Sequence, residues 1–294
     1  MKIKTVSGFV KTCADIFDKY KEPDEVLSFW FRGEPEMDKS STPLVPNAYR
    51  DFGGPFDDKS KQSAYSNAKA IEGNLKGSFQ REAAPYLSKL QLVHNSWTEY
   101  YLMQHYGLKT RLLDWTENIL IALFHAVSDC QKNCDGVVWI LNPHRLNRFT
   151  TYKICNISTS SVSIPVDVKT KGLLKNSDEK LDLDELHRRY LQMDFDDNTE
   201  NSKADYFPLA IYPPLLDDRM LMQSACFTIF GNQVNGLLDA ETKKDDFLGK
   251  IEIDAFSKSD IKKELKWMGI SHKNILPGLE GVCKSIKDHY DNSD

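Results

Sequence analysis

Apolar residues recur along this chain with two different spacings, and each spacing predicts a different kind of element. Short runs rich in branched and aromatic residues predict buried strands. Such runs occupy residues 26–33, 136–141, 207–212, 224–231 and 248–253. Residues 109–115 are interpreted as a further short strand or turn. The chain therefore contains enough strand segments to build a sheet.

Helical spacing accounts for much of the remaining sequence. Apolar residues that recur every three or four positions predict helices over residues 5–20, 67–106, 117–127 and 259–268. The second of these is expected to be interrupted near Pro85. Thr116 stands where the N-cap of the third helix belongs.

Two segments show neither spacing. Residues 34–66 carry several prolines and glycines in a polar background and are interpreted as a long loop, which in a compact domain is often functional or mobile. Residues 142–204 are rich in charge and are interpreted as surface helices and loops that elaborate a core.

The composition narrows the class of protein. The chain has 294 residues, which suits one elaborated domain or two intimate ones. Hydrophobic content of 40% and charged content of 28% are typical of a soluble globular protein. A net charge of −5 excludes a globally basic surface for duplex binding, although a local basic groove remains compatible with it.

Location and metal content are predicted from what the sequence lacks. No apolar run approaches the roughly 20 residues of a spanning helix, and the first residues show no secretory signal pattern. Cys130 and Cys134 are the only closely spaced cysteines, and no second ligand pair accompanies them. We therefore expect a cytoplasmic protein with free thiols, no membrane association and no metal.

The densest group of polar and aromatic side chains is the segment 104–116, with the sequence QHYGLKTRLLDWT. Each buried polar group in it must find a partner, because an unpaired one costs about 1–3 kcal/mol. The segment connects predicted helices and is therefore part of an ordered junction. Polar side chains held at such a junction are typical of a functional site.

Arg32 and Gly33 end the first predicted strand. A guanidinium in this position can form paired hydrogen bonds to a phosphate or a carboxylate, and the glycine lets the backbone approach a ligand closely. The alternative is an arginine that leaves the core at a strand end and meets solvent or a carboxylate.

The central segment offers further candidates. His105 is a candidate general base and Tyr106 a stacking or hydroxyl partner, with a helix-end histidine and a buried tyrosine ring as the alternative. Asp114 is flanked by apolar residues and is predicted to be partly buried, so it needs donors that Arg111 or nearby backbone can supply. That structural pairing and a catalytic role are equally compatible with the sequence.

Thr116 and Gln223 stand at the starts of predicted elements. A helix N-terminus favours bound anions, so Thr116 can cap the helix and contact a phosphate at once. Gln223 is predicted to stand at the start of a late strand. There its amide could form hydrogen bonds to the polar groups of a ligand, and the alternative is that it bonds to the main chain. The glycines match neither a P-loop nor a dinucleotide fingerprint.

These motifs resemble those of the FRG domain family. The resemblance rests on residues 31–33, 104–116 and 122–126, and it extends to residues 219–223, Phe227 and residues 270–281. It implies an FRG domain over residues 28–284 with a charged insertion at 142–204. An N-terminal helix would then occupy residues 1–27 and a tail residues 285–294.

The FRG family is similar in layout to ADP-ribosyltransferases of the Arg-Ser-Glu type. This resemblance implies an α+β fold with a split, mostly antiparallel sheet and helical elaborations, and NAD as the substrate. It implies a binding set that includes Arg32 on the dinucleotide, Gly33 at the carboxamide, a stacking ring and a Ser/Thr position. The implied NAD-binding residues are Arg32, Gly33, Tyr106, Arg111, Trp115 and Thr116.

The implied catalytic residues are Asp114, His105 and Gln223, which would handle the ribose or the incoming nucleophile. Gln223 stands where the family resemblance places a glutamate, and Asp114 could supply the missing charge. The resemblance implies transfer of ADP-ribose to RNA, DNA or protein by a toxin or anti-phage defence effector, with NAD hydrolysis as a side activity and an inhibitory partner protein as a possible regulator.

Two further interpretations remain open. Residues 144–148 and 187–190 combine basic and aromatic side chains that could touch a single nucleic-acid strand, although solvated surface charge explains them equally well. The alternative function is a non-enzymatic nucleotide-sensing or interaction module. In that case the same pocket binds a nucleotide and reports through residues 34–66 or 142–204.

Overall fold

An antiparallel sheet forms the centre of the protein. This computed structural model describes residues 2–20, 28–37, 44–52, 58–89, 95–129, 133–165, 181–193, 205–239 and 246–291. The strands are β1 (Trp30–Glu34), β2 (Leu112–Thr116), β3 (Gly136–Leu141), β4 (Leu209–Ile211), β5 (Ala225–Ile229) and β6 (Leu248–Ile253). They form one six-stranded sheet in the order β4-β5-β2-β1-β3-β6, with every pair antiparallel.

The helices surround this sheet and make the fold α+β, in agreement with the predicted class. They are α1 (Val6–Lys19), α2 (Asn47–Arg50), α3 (Asp58–Leu87), α4 (Ser96–His105), α5 (Ile119–Ala126), α6 (Pro143–Cys155), α7 (Leu183–Gln192), α8 (Asp218–Met222), α9 (Lys258–Trp267), α10 (His272–Ile275) and α11 (Gly278–Asp291). The helices predicted over 5–20 and 259–268 are confirmed as α1 and α9.

Each predicted strand is present in the described residues. β3 and β6 have the predicted bounds, whereas the other strands are shorter than the apolar runs that predicted them. The extra apolar residues, such as Phe207 and Phe230, are buried beside the sheet without extending its ladder. Residues 26 and 27 of the first predicted strand lie outside the described residues.

The long loop predicted over residues 34–66 is wrong in part. Residues 47–50 form α2, and the helix α3 begins at Asp58. Ala64 and Ala68 of α3 belong to one apolar cluster, and Tyr65, Leu75 and Phe79 pack against another. These few apolar positions are hard to recognise in a polar sequence. Pro85 lies inside α3, which ends two residues later, so the break predicted near this proline is the end of α3.

The predicted surface elaboration over residues 142–204 is also wrong for its described helices. Leu146 and Phe149 of α6 belong to the apolar cluster on one face of the sheet. Leu186 and Tyr190 of α7 belong to a cluster on the other face. Both helices therefore complete the core, while residues 166–180 and 194–204 of this segment lie outside the described residues.

The two faces of the sheet are covered differently. On one face, α2, α3 and α6 pack over a continuous cluster that contains Trp30, Leu113 and Trp115. The other face carries two separate clusters. One lies under α1, α5 and α9 on strands β1, β3 and β6, and the second lies under α4 and α7 on strands β2, β4 and β5.

The boundary between these two clusters coincides with the weakest pairing in the sheet. β1 pairs with β3 through five residue pairs and β2 with β5 through five, but β1 pairs with β2 through the single pair Phe31↔Thr116. The two strands separate beyond this pair. The sheet is thus split between β1 and β2, and an uncovered strip of its face remains between the two helical layers.

Candidate functional site

A cleft with a volume of about 860 Å³ opens at this split. Residues 31–33 of β1 and 114–116 of β2 form its floor, and α5 forms one wall. Residues 104–107 at the end of α4 and residues from α8 form the opposite wall, and α10 with Lys284 of α11 lies at the rim. The segment 104–116 therefore contributes to both the floor and a wall, as its polar composition predicted.

Arg32 spans the gap between β1 and β2. Its Nη1 donates to the main-chain oxygen of Asp114 over 2.9 Å, and its Nε donates to Glu34 Oε1 over 3.1 Å. These bonds fix the guanidinium at the cleft floor, while its Nη2 makes no hydrogen bond to a described residue. The structural and ligand-binding interpretations of Arg32 are therefore compatible with each other.

Asp114 is exposed on the cleft face of β2, so the prediction of partial burial was wrong. It lies on the same face as Phe31 and Thr116, where the two apolar clusters leave the sheet uncovered. Its Oδ2 accepts a hydrogen bond from Gln104 Nε2 over 2.9 Å, and the hydroxyl of Thr110 orients that amide by donating to its oxygen. The carboxylate is held by a neutral donor and is accessible from the cleft.

His125 is a cleft residue to which sequence reasoning assigned no role. It lies on α5 with its ring open to the cleft. Partial desolvation by the surrounding protein, followed by the charge of Arg32, lowers the pKa of His125 to about 4. The imidazole is therefore neutral at physiological pH. The only signal in the sequence was a titratable residue within an otherwise apolar helix.

His105 and Tyr106 both line the cleft at the end of α4. The Nε2 of His105 is 3.2 Å from Asp217 Oδ2, and Asp217 is the N-cap of α8. The ring of Tyr106 is 68% exposed and meets the His105 ring edge-on with 4.9 Å between centroids. The alternative of a buried tyrosine ring is thus wrong, and an exposed aromatic ring is available at the cleft wall.

Thr116 is not the N-cap of the helix that follows it. Asn118 caps α5 by accepting hydrogen bonds from the main-chain N–H groups of the first turn. The Thr116 hydroxyl instead donates to the main-chain oxygen of Gln223 over 2.6 Å and accepts from Asn118 N over 3.0 Å. Thr116 lies two positions before the N-cap because β2 extends through it, and its side chain connects β2 to the segment before β5.

Gln223 ends α8 instead of opening a strand, and β5 begins two residues later. It nevertheless lines the cleft, where its Nε2 lies 3.4 Å from the main-chain oxygen of Ile275. The sequence therefore placed this residue in the right region of the site and in the wrong element.

Arg111 is enclosed in the core and does not reach the cleft, so its assignment as an NAD-binding residue is wrong. Its side chain is fully buried and donates to Glu72 Oε2 over 2.8 Å. It also donates to the main-chain oxygens of Phe230 and Tyr190, each over 2.7 Å. Glu72 lies 39 residues earlier on α3, and nothing in the local sequence marked it as the partner.

The assignment of Trp115 as a binding residue also needs correction, whereas Gly33 lines the cleft and has a packing role as well. The Trp115 ring lies on the opposite face of the sheet from the cleft, 3% exposed, with its Nε1 donating to Thr228 Oγ1 over 3.1 Å. It cannot stack on a ligand in the cleft. A Cβ on Gly33 would lie 1.8 Å from the main-chain oxygen of Ala122. The glycine is therefore required for close packing of α5 on β1, whether or not a ligand also contacts it.

Cationic side chains outnumber carboxylates in the described lining of the cleft, and two of them are paired with carboxylates beside it, Arg32 with Glu34 and Lys284 with Glu280. Arg32, Arg219 and Lys284 carry permanent charge among its lining residues, whereas Asp114 is the one carboxylate in the described lining. His272 of α10 also lines it. Sequence reasoning gave no role to Lys284 or His272, because both come from the C-terminal helices that the fold brings to the rim. A cleft of this charge and size suits a ligand with phosphate groups.

Residues 27–135 match the model of the FRG domain family. This stretch runs from the start of β1 past α5 and so contains Arg32, Gly33 and the segment 104–116. The comparison supports the predicted family for this part of the chain. Searches of curated proteins and of solved structures return no match.

Most side chains of the two clusters considered for nucleic-acid contacts, residues 144–148 and 187–190, are buried or make contacts within the protein. His187 and Tyr190 are buried, and Arg188 and Arg189 bind Glu185. The Arg145 guanidinium lies 5.3 Å from the centre of the Tyr20 ring.

Over the described parts of the chain, no three His, Cys, Asp or Glu side chains are placed to share a metal ion. None of the helices in these parts has the length and apolar character needed to cross a bilayer.

Proposed function

We propose that the cleft binds NAD and that the protein transfers ADP-ribose from NAD to a macromolecule, which is RNA, DNA or protein. The observation that carries this proposal is the exposed Asp114 carboxylate at the split between β1 and β2, in a cleft whose lining also includes Arg32, Arg219 and Lys284. The split lies within the part of the chain that matches the FRG domain.

The cations account for binding. A pyrophosphate carries negative charge that guanidinium and ammonium groups bind through charge-assisted hydrogen bonds. Arg32 and Arg219 supply such donors from the floor and the wall, and Lys284 supplies one from the rim. The exposed ring of Tyr106 offers a face on which a planar base can stack.

Asp114 accounts for the chemistry. The bond between the nicotinamide nitrogen and the ribose C1′ breaks, and its electron pair neutralises the positive nitrogen of the leaving nicotinamide. The ribose becomes positively charged at C1′, and a carboxylate fixed beside it stabilises that charge. A nucleophile of the acceptor then bonds to C1′ and releases its proton to Asp114 and on to water. If water is the nucleophile, the result is NAD hydrolysis.

The test uses adenine-labelled NAD with purified protein and, separately, total RNA, DNA or cell protein. The wild type is expected to label one class of macromolecule and to release nicotinamide. Asp114→Asn keeps the shape and the bond from Gln104, so it is expected to bind NAD while transfer falls by at least a hundredfold. Arg32→Ala is expected to weaken NAD binding itself. Glu82→Gln, an exposed change on α3, serves as the control.

Each other outcome has a distinct meaning. Nicotinamide release without labelling identifies an NAD hydrolase. NAD binding without turnover in the wild type identifies the sensing module and rejects the enzyme. Absence of binding rejects both. A role as toxin or defence effector adds a further expectation: expression of the wild type arrests bacterial growth and expression of Asp114→Asn does not.

A further inference from the structure

The helix α11 presents its apolar side to solvent. Leu279, Val282, Ile286 and Tyr290 are exposed by 81%, 43%, 53% and 72%. These residues recur at three- and four-residue spacing and therefore form one stripe along the helix. We name this stripe the α11 stripe.

The inward side of α11 is made of small and polar residues. Gly281 is buried against α10, where a Cβ would lie 2.0 Å from the main-chain oxygen of Leu276. One and two turns later, Ser285 and Asp288 are half-buried, and Asp288 bonds to Lys262 of α9 and His272 of α10. The usual arrangement of an amphipathic helix is thus reversed. A contiguous exposed apolar surface of this kind marks an interaction site.

The α11 stripe is self-complementary. If two copies of α11 lie antiparallel, a two-fold axis beside Lys284 and Ser285 brings Val282 opposite Ile286 of the second copy. The same axis brings Leu279 opposite Tyr290. Every residue of the stripe then meets an apolar residue, as an isologous interface between identical chains requires. The 14-residue helix is about 21 Å long, so the contact would run over its whole length.

The charged residues beside the α11 stripe also favour pairing with a second copy of this chain. They include both signs, with Glu280 near the start of α11, Lys284 beside its centre and Lys287 beyond the centre. In the antiparallel pair, Lys287 of one copy comes level with the turn that contains Glu280 of the other. A stripe that served an acidic or a basic partner would be flanked by charges of one sign. We infer that α11 is the docking surface for a second copy of this chain.

The inference does not depend on the proposed function, but it has a consequence for the cleft. Lys284 lies on α11 and lines the cleft rim. Pairing through α11 would therefore bring the cleft rims of the two copies to either side of one interface.

The first test is the mass of the full chain in solution, measured by light scattering after gel filtration over a broad concentration range. The wild type is expected at twice the mass of one chain. Ile286→Glu buries a charge in the interface and is expected to weaken pairing by at least a hundredfold. Ile71→Glu makes the same change at an exposed isoleucine of α3 and is expected to remain paired. Leu279→Glu provides a second interface variant if Ile286→Glu fails to fold.

The second test uses Cys283, which is exposed on α11 near the proposed axis. A short bismaleimide is expected to join two wild-type chains, and Cys283→Ser is expected to abolish the product. A wild type that stays monomeric at all concentrations overturns the inference. So does a dimer that survives Ile286→Glu, or cross-linking that is equally efficient in that variant. Binding of other proteins, lipid vesicles or RNA to a monomer through the stripe would identify a different occupant.

Discussion

Removal of the Glu72 carboxylate is predicted to destabilise the protein severely. The Arg111 side chain is fully buried, and Glu72 is the charged partner that it meets in the core. Burial by itself lowers the pKa of Arg111, but the Glu72 carboxylate outweighs this effect and raises the pKa above its usual value. The guanidinium therefore stays charged at every accessible pH, and Glu72→Ala leaves that charge in the core with two main-chain oxygens as partners.

The magnitude follows from this geometry. Loss of one partner of a buried ion pair costs about 3–5 kcal/mol, because the remaining charge is neither paired nor hydrated. The same change removes the acceptor of the buried Tyr100 hydroxyl, which donates to Glu72 Oε1. Since a domain of this kind is stable by about 5–15 kcal/mol in total, the loss is a large share of the free energy of unfolding.

Urea unfolding followed by circular dichroism measures the loss. Glu82→Ala, at an exposed glutamate of the same helix, is expected to change the free energy of unfolding by less than about 0.5 kcal/mol. Glu72→Leu combined with Arg111→Met removes both charges and is expected to recover much of the stability that Glu72→Ala loses. A Glu72→Ala protein within about 1 kcal/mol of the wild type would refute the reasoning, because the guanidinium would then have found water or another anion.

Three further predictions concern packing, capping and pH. Gly33→Ala is expected to cost about 1–3 kcal/mol in urea unfolding because its Cβ would overlap the backbone of α5, whereas Gly249→Ala, whose nearest neighbour would be 4.0 Å away, is expected to have little effect. Asn118→Ala is expected to lower the free energy of unfolding by about 1 kcal/mol, and Asn118→Asp is expected to lower it much less, since aspartate can still cap α5. Equal losses in the two variants would contradict the capping role. Burial lowers the pKa of His187 to about 4, so on acidification the imidazole is protonated in the unfolded chain before it is protonated in the folded protein. The free energy of unfolding is therefore expected to fall as the pH drops from about 6.5 to about 4. The fall is expected to be less steep in His187→Gln.

Much of the fold could be predicted from local patterns. β3, β6, α1 and α9 were recognised because each buries one face or both faces, and burial imposes a period on the sequence that any fold containing them must show. The helix α3 was placed only in part, because the few residues through which it contacts the core stand in a polar sequence and leave a weak pattern.

The candidate site could be predicted as a region but not residue by residue. The polar segment 104–116 does line the cleft, together with Arg32 and Gln223. Within it, however, Asp114 and Trp115 point to opposite faces of β2, and only one of those faces is uncovered. Which face stays open depends on how α4, α5 and α7 divide the sheet between them.

Local sequence patterns predict the class of fold, most of its strands and the segment that forms the site, because these depend on residues close together in the chain. Which polar residues are structural and which reach the cleft follows only from contacts between distant segments. Arg111 belongs to the core because Glu72 is brought to it from another helix, and Lys284 belongs to the cleft because α11 folds over its rim. Charge is buried or exposed according to partners distant in sequence, and local periodicity carries no information about them.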